Sequence, residues 1–410
     1  MRIATAHAYD ATIAELQRRQ QDLSTSQKQL TSGKRVVNAS DDPTNAARAE
    51  RALAAMARAD ANQRTLDASR NVMNLASSSL TNATELLQTA RETLAAAGNA
   101  SYSSADRKSL AVKLQDIRDQ LLSVANTPDG GGGYIYGGQG SSSPPFIDTG
   151  NGVVYQGQGG EQLASSGQRL NLTLDGQRIW LSGKAGNGVF NTNGIVAGNS
   201  GNAWITSGSV TAPASVPYPS AGGTSHTYQL VFHNNAGTIT YDVLEDNNAA
   251  SPLSTGNAYK DGAAIDITGK GMQVAVKGYP SEGDTFQIDE SRNNLNIFSV
   301  LDNAISVLKS APAEGEASQA VNTGLVNVDA SLASIQAAQS VVGEELNRMD
   351  GMESRNQDAK LAAQTDKSNA EDLDMVKALS EFKNQDTGYS AALQSYAMVQ
   401  KLSLFNYISG

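Results

Sequence analysis

Three histidines, two acidic clusters and one run of glycines are the residues of this 410-residue chain whose types could do chemistry. His226 and His233 lie seven apart among alternating apolar residues, whereas a zinc peptidase needs two histidines four apart on a helix. With His7 near the start of the chain, they read as strand or loop residues. Asp284, Asp289 and Glu290 could offer oxygens to a hard cation, but their spacing departs from that of a calcium loop. They read as solvated turn carboxylates. Glu371, Asp372 and Asp374 read as acidic residues opening a helical turn, where the helix dipole favours negative charge. The glycines at 130–133 could cradle a phosphate only with a strand before them and a helix after. Here a helical pattern precedes them and strands follow, which describes a flexible helix-to-sheet junction. Neither a Gly-x-Ser-x-Gly elbow nor a Walker loop is present, and the chain has no cysteine. The sequence therefore predicts no catalytic residue, no metal site and no cofactor.

What dominates instead is helical periodicity. Residues 321–349 carry Val321, Leu325, Val328, Leu332, Ile335, Val342, Leu346 and Met349, with Gln339 in the one missing place. Steps of four and three define a heptad seam, which must be covered by other helices. A second seam has Leu66, Met73, Leu80, Leu87 and Leu94 every seven residues, with Ser69, Ala76, Ala83, Ala90 and Ala97 between them, small enough for close helix approach. Asp42 and Pro43 predict its N-cap and first turn. Ser103 and Asp106 predict a capping box for a third helix through Leu110, Leu114, Ile117, Leu121 and Val124. A first helix follows Tyr9, Ile13, Leu16, Leu23 and Leu30, with Gln20 and Gln27 in core places. About 25 residues with two polar core positions are marginal alone in water, so this helix needs a partner. Apolar spacing returns at the far end with Met375, Leu379, Phe382, Tyr389, Leu393 and Tyr396, closing on Leu402, Leu404, Phe405, Tyr407 and Ile408.

Between these helical ends the chain turns rich in Gly, Asn, Ser and Thr. Short alternating runs at 171–174, 228–232, 238–244, 264–267, 273–276 and 285–288 predict strands. Residues 208–225, with three prolines, predict a loop or internal linker. Helix resumes near Asn294, breaks at Pro312 and Gly315, and could continue from Ala317 to the Phe382 region. The expected fold class is α+β: a long antiparallel helical bundle or coiled coil from both termini with an inserted, mostly β head. The expected divisions are an assembly helix and loop (1–42), half of a helical rod (43–146), the β-rich head (147–290), the other half of the rod (291–370) and a C-terminal assembly helix (371–410).

Composition sets limits on partners. Only 5% of residues are aromatic and 39% hydrophobic, poor material for a thick core. The formal charge is -10 and no basic run exceeds two residues, which argues against nucleic acid. No window approaches eighteen apolar residues and no apolar leader opens the chain, so neither membrane insertion nor a Sec signal is expected.

Four segments together carry a family resemblance. Leu30-Thr31-Ser32-Gly33-Lys34-Arg35 followed by Val37-Asn38-Ala39-Ser40-Asp41-Asp42-Pro43 resembles the loop between the first two helices of bacterial flagellins. Tyr134-Ile135-Tyr136-Gly137-Gly138 with Pro145-Phe146, the turn from Gly278-Tyr279-Pro280 to Gly283-Asp284-Thr285-Phe286, and the ending from Lys401 to Tyr407 are similar to the hook-associated branch of that superfamily. The resemblance is closest in the helical arms and does not extend over 147–275. It implies a non-enzymatic structural protein of the bacterial flagellum, at the junction between hook and filament. A filament-forming flagellin, and a helix-anchored secreted enzyme or adhesin acting through its β head, are the competing readings.

The resemblance further implies other copies of the chain in a tubular layer, a hook-associated protein on the hook side, flagellin on the filament side and an export chaperone as partners. It also implies type III export, without a cleaved signal peptide, to the extracellular flagellum. On this reading Ile13, Leu16, Leu23, Leu30, Leu379, Phe382, Leu393 and Tyr396 are the assembly residues, loose in the monomer and zipped together in the assembly. Leu393, Tyr396, Leu402 and Phe405 form the tail that a chaperone would hold.

Overall fold

The computed structural model describes residues 2–99, 101–163, 170–194, 199–220, 225–310 and 314–408, with side-chain surroundings for all of these except 2–9 and 399–408. In chain order the elements are α1 (Arg2–Ser32), α2 (Pro43–Ala97), α3 (Ser104–Ala125), β1 (Phe146–Thr149), β2 (Gly152–Tyr155), α4 (Gly176–Trp180), β3 (Gly183–Lys184), β4 (Phe190–Asn193), β5 (Trp204–Ile205) and β6 (Ser209–Val210). They continue with β7 (Tyr228–Asn235), β8 (Thr238–Glu245), β9 (Ser254–Ala258), β10 (Ala264–Ile267), β11 (Met272–Lys277), β12 (Thr285–Glu290), β13 (Asn293–Leu295), α5 (Ile297–Ser310), α6 (Glu314–Glu371) and α7 (Met375–Ile408). Long helices at both ends enclose a central β-rich region, as expected. The chain forms two compact units, one of Met1–Arg64 with Asp350–Gly410, the other of Thr65–Met349.

Within the central unit, α2 and α6 run antiparallel: Arg91 pairs with Asp329 at 2.6 Å, and Gln339 reaches Thr84 at 3.4 Å. Every predicted core residue of α2 from Leu66 to Ala97 is buried. On α6 the seam divides, with Val321, Val328, Ile335, Val342 and Met349 buried while Leu325, Leu332, Gln339 and Leu346 are only half-buried. One edge of that stripe lies in the core and the other at its rim. The capping box forms as predicted: Ser103 accepts the Asp106 N–H, and the Asp106 carboxylate accepts from the Ser103 backbone at 3.0 Å. At the start of α2, Asp42 accepts the Asn45 N–H at 3.0 Å.

The β region has its own core. A five-stranded antiparallel sheet, β4-β12-β7-β8-β9, and a smaller sheet of β10, β11, β5 and β6 supply one buried cluster that includes Phe190, Ile205, Tyr228, Phe232, Met272, Val274 and Phe286. Alternation along β7 and β11 explains it: successive side chains point to opposite faces, and the apolar set faces inward. A second knot closes the helical side of this unit. Trp180 stacks on Phe298 with centroids 6.0 Å apart and meets Tyr136 edge-on at 5.5 Å, while the Tyr136 hydroxyl donates to Ser79 at 3.0 Å. Arg118, its side chain 3% exposed, lies between Asp148 on the β1–β2 hairpin and Asp302 on α5.

Four sequence expectations are corrected. Residues 171–174 form no strand; the Leu174 N–H bonds the Ile135 carbonyl at 2.7 Å, and the Thr173 hydroxyl bonds the Gly138 carbonyl, so loop contacts take the place of a ladder. The described part of the stretch expected as a loop or internal linker, 208–220, holds strand β6 paired with β11, and Tyr218 is buried in the sheet core with its hydroxyl donating to the His226 carbonyl at 2.6 Å. Gly315 does not break helix: α6 begins at Glu314, and a Cβ on Gly315 would stand 2.5 Å from the backbone of Asn202, so glycine serves close approach. Finally, α6 stops at Glu371, short of the Phe382 region, because residues 372–374 turn to bond the segment after α1.

Candidate assembly surface

The first unit places the two terminal arms together. Gly33, at a φ of +68°, ends α1 in a conformation that favours glycine and directs Lys34 and Arg35 onto the break between α6 and α7. Main-chain bonds lock the crossing: Arg35 N–H to the Glu371 carbonyl at 2.6 Å and Leu373 N–H to the Gly33 carbonyl at 3.0 Å. The Arg35 guanidinium also donates to the Ala370 carbonyl at 2.8 Å. Glu371, buried at the end of α6, is paired with Lys367 at 2.7 Å and Lys34 at 3.2 Å; these cations, Lys367 foremost, hold its carboxyl below the usual range. Asp374 accepts the N–H groups of Val376 and Lys377, both at 3.1 Å, and so opens α7. The two arms thus start from one bridged level.

From there α1 and α7 pair along their length, with Ser26 donating to Gln385 at 2.7 Å. The pair covers itself poorly. Of the predicted assembly residues, Leu16, Leu23, Leu30, Phe382 and Tyr396 are half-buried, while Ile13, Leu379 and Leu393 remain 39%, 55% and 42% exposed. Met375, Val376 and Met398 are exposed as well. The side chains of Leu402 and Phe405 lie outside the described residues. Among the described side chains of these two helices none is fully buried, so the described part of each arm's stripe is incompletely covered among the described residues. The sequence showed the stripes; it gave no sign of the Gly33–Glu371 crossing, because a bridge between residues more than 300 apart leaves no local pattern.

The candidate chemical residues are accounted for structurally. Asp284 is buried rather than solvated, and accepts N–H groups of Ser200 and Ser281 at 2.8 Å and of Gly201 at 3.1 Å. Three amides converging on one carboxylate explain the burial. Asp289 accepts from Thr227 at 3.0 Å, and Glu290 from the backbone and hydroxyl of Ser220 at 3.1 and 3.0 Å. His226 meets Asp246 at 2.8 Å; His233 lies 3.2 Å from both Glu282 and Asp242, which raise its pKa above the ordinary imidazole value, Glu282 first. His7 lies among the residues whose side chains are not described. The glycine run is ordered by Asp129, whose carboxylate accepts the N–H groups of Gly131 and Gly133 at 2.7 and 2.9 Å. An internal carboxylate already occupies the place a phosphate would need. Among the described residues no group of three His, Cys, Asp or Glu side chains is arranged to hold a metal, and no helix is long and apolar enough to cross a membrane.

Paired terminal helices around a β-rich insertion define a flagellin-type chain, and the family model for the bacterial flagellin N-terminal helical region matches residues 3–141. Flagellar hook-associated protein 3 of Escherichia coli (strain K12) is 25% identical over 317 residues, 75% of this chain and 68% of that protein. The crystal structure of flagellar hook-associated protein 3 from Legionella pneumophila matches with a TM-score of 0.69 and 28% identity, over 77% of this chain and 97% of that one. The crystal structure of the flagellar junction protein FlgL from Legionella pneumophila matches with a TM-score of 0.60 and 30% identity, over 70% of this chain and 94% of that one. This chain belongs to the flagellar hook-associated protein 3 (FlgL) family.

Proposed function

We propose that this protein is a structural subunit of the bacterial flagellum, forming the junction between the hook side and the flagellin filament. The observation that carries the reading is the α1–α7 pair, whose apolar stripes are incompletely covered among the described residues. Exposed apolar faces of that extent are covered by assembly, and a pair without a buried centre gains most of its order when it binds. Copies of the chain form one tubular layer, with a hook-associated protein on one side and flagellin on the other. The arms tighten as they enter it. No reaction and no cofactor is part of this role. Export through the hollow structure by the type III route, to the extracellular flagellum and without signal cleavage, fits an arm that stays loose beforehand. A chaperone would hold the tail through Leu393, Tyr396, Leu402 and Phe405.

Electron microscopy of purified protein mixed with hook-filament fragments tests this. The expected result is binding confined to hook-side ends, with filament growth only after flagellin is added. Long filaments grown from the protein alone would make it a flagellin and overturn the reading.

A further inference from the structure

The elements β4, β13, α5 and α6 enclose a cleft of about 580 Å³ within the central unit. Helical spacing sets its walls. Ser299, Asn303 and Ser306 recur at steps of four and three and share one face of α5, turned away from the buried Phe298, Leu301 and Leu308. Thr323 and Asn327 line it from α6, Asn191 and Thr192 from β4, and Asn294 from β13. Leu295, Val300, Ala304 and Ala320, all buried, supply its apolar part. None of the described residues lining it is charged, although 18% of the chain is. Other clefts of the same unit carry charge, Lys184 and Asp329 in one and Glu161, Asp175 and Arg178 in another. A phosphate, a carboxylate or a metal ion would meet no counter-charge here.

Polar groups of this lining are left without partners. Asn327 is 9% exposed; its carboxamide oxygen accepts the Gly186 N–H at 3.0 Å, which fixes the amide, and its NH2 group has no acceptor among the described residues. Thr192 is 4% exposed, and its hydroxyl has no partner among the described residues. Neither atom is sealed off, since the fully enclosed unpaired side-chain atoms described belong to Arg107, Trp180 and Glu371. The carboxamides of Asn191, Asn294 and Asn303 are likewise unpartnered among the described residues. Buried polar groups left unpaired cost stability unless something else meets them. A carboxamide holds donor and acceptor side by side, and a hydroxyl is both. They suit neutral groups that also combine the two, such as sugar hydroxyls and acetamido groups. The C–H faces of a sugar ring suit the apolar part formed by Leu295, Val300 and Ala304, and the volume lies in the range of small-ligand sites. We propose that this cleft binds a neutral saccharide bearing acetamido groups, held by the Asn303 and Asn327 carboxamides and the Thr192 hydroxyl. This goes beyond the junction role and does not depend on it.

Isothermal titration calorimetry of the full-length protein with N,N′-diacetylchitobiose tests this. Two comparison ligands are maltose, which has hydroxyls without amides, and N-acetyl-trialanine-amide, a capped peptide with amides but without hydroxyls. The expected result is saturable binding of diacetylchitobiose with a Kd of about 1 mM or tighter, weaker binding of maltose and no binding of the peptide. Asn303→Ala and Thr192→Val each remove a group that has no partner among the described residues. Each should weaken diacetylchitobiose binding about fivefold, with the urea unfolding midpoint unchanged. Absence of saturable binding would overturn the inference, as would binding that both variants leave intact, which would put the sugar elsewhere. Equal or tighter binding of maltose would also overturn it, and so would tighter binding of the capped peptide, which would make the cleft a peptide site. Docking on hook ends is read in a separate assay, so the failure of either proposal leaves the other standing.

Discussion

His233 shows how a residue that suggests catalysis can be a fastener. Its imidazole joins β7 to Asp242 on β8 and to Glu282 in the turn before β12, and both carboxylates raise its pKa. A group whose folded pKa lies above its unfolded value adds stability that is fully present below the unfolded pKa, near 6.5, and is lost as pH rises through the folded one. Urea unfolding of the native protein should therefore show a midpoint that declines with rising pH just above 6.5. His233→Gln should be flatter across that window, and an unchanged slope would remove the assignment. From the sequence His233 was legible as a strand or loop residue, one position beyond the strand expected at 228–232. Asp284 was not legible as a buried group. Its three N–H donors come from residues 200, 201 and 281, and no spacing within one segment announces such convergence. Trp180 and Tyr218 were missed for the same reason: each is buried by partners remote in the chain.

Among the elements, α2 was read best because its seam is satisfied within the chain. Leucine every seven residues, alternating with alanine, fixes which face is buried, and the buried set matches residue by residue from Leu66 to Ala97. The arms α1 and α7 have the same spacing without the same burial, and periodicity alone cannot separate a covered stripe from one awaiting cover. Mutation separates them. Leu80→Ala empties part of a fully buried site and should cost about 3 kcal/mol of monomer stability. Leu379→Ala, at an exposed position, should change monomer stability by less than about 0.5 kcal/mol yet weaken docking on hook ends. Chemical unfolding of both variants beside the docking assay checks the contrast; a large loss of monomer stability in Leu379→Ala would mean that α7 is already packed. The failed strand at 171–174 teaches a related point. Its alternation was real, but the Leu172 N–H is taken by the Gln162 carbonyl, and the Leu174 N–H and carbonyl by Ile135 and Gly138.

At the scale of the whole molecule the two units differ in what can hold them. The central unit buries Trp180, Phe190, Phe232, Phe286, Met73 and four leucines of α2, whereas the fully buried apolar side chains described in the other unit are five alanines and Val36. At about 25 cal/mol for each Å² of apolar surface removed from water, alanines bring little, and local opening follows. Amide hydrogen exchange of the monomer should therefore be slow across the Leu66 to Leu94 stretch of α2 and fast along α1 and α7, with the arms slowing after docking on hook ends. Arms as protected as α2 in the free monomer would contradict assembly-coupled ordering. The bridge between Gly33 and Glu371 has one more consequence, for evolution. Because α1 and α7 leave the same level and pair with each other, with Ser26 of one bonded to Gln385 of the other, the bridge fixes the register of the pair. Any insertion or deletion in one arm would leave part of the other unpaired, so changes in arm length should be inherited in matched steps, and relatives with longer first helices should carry equally longer last ones.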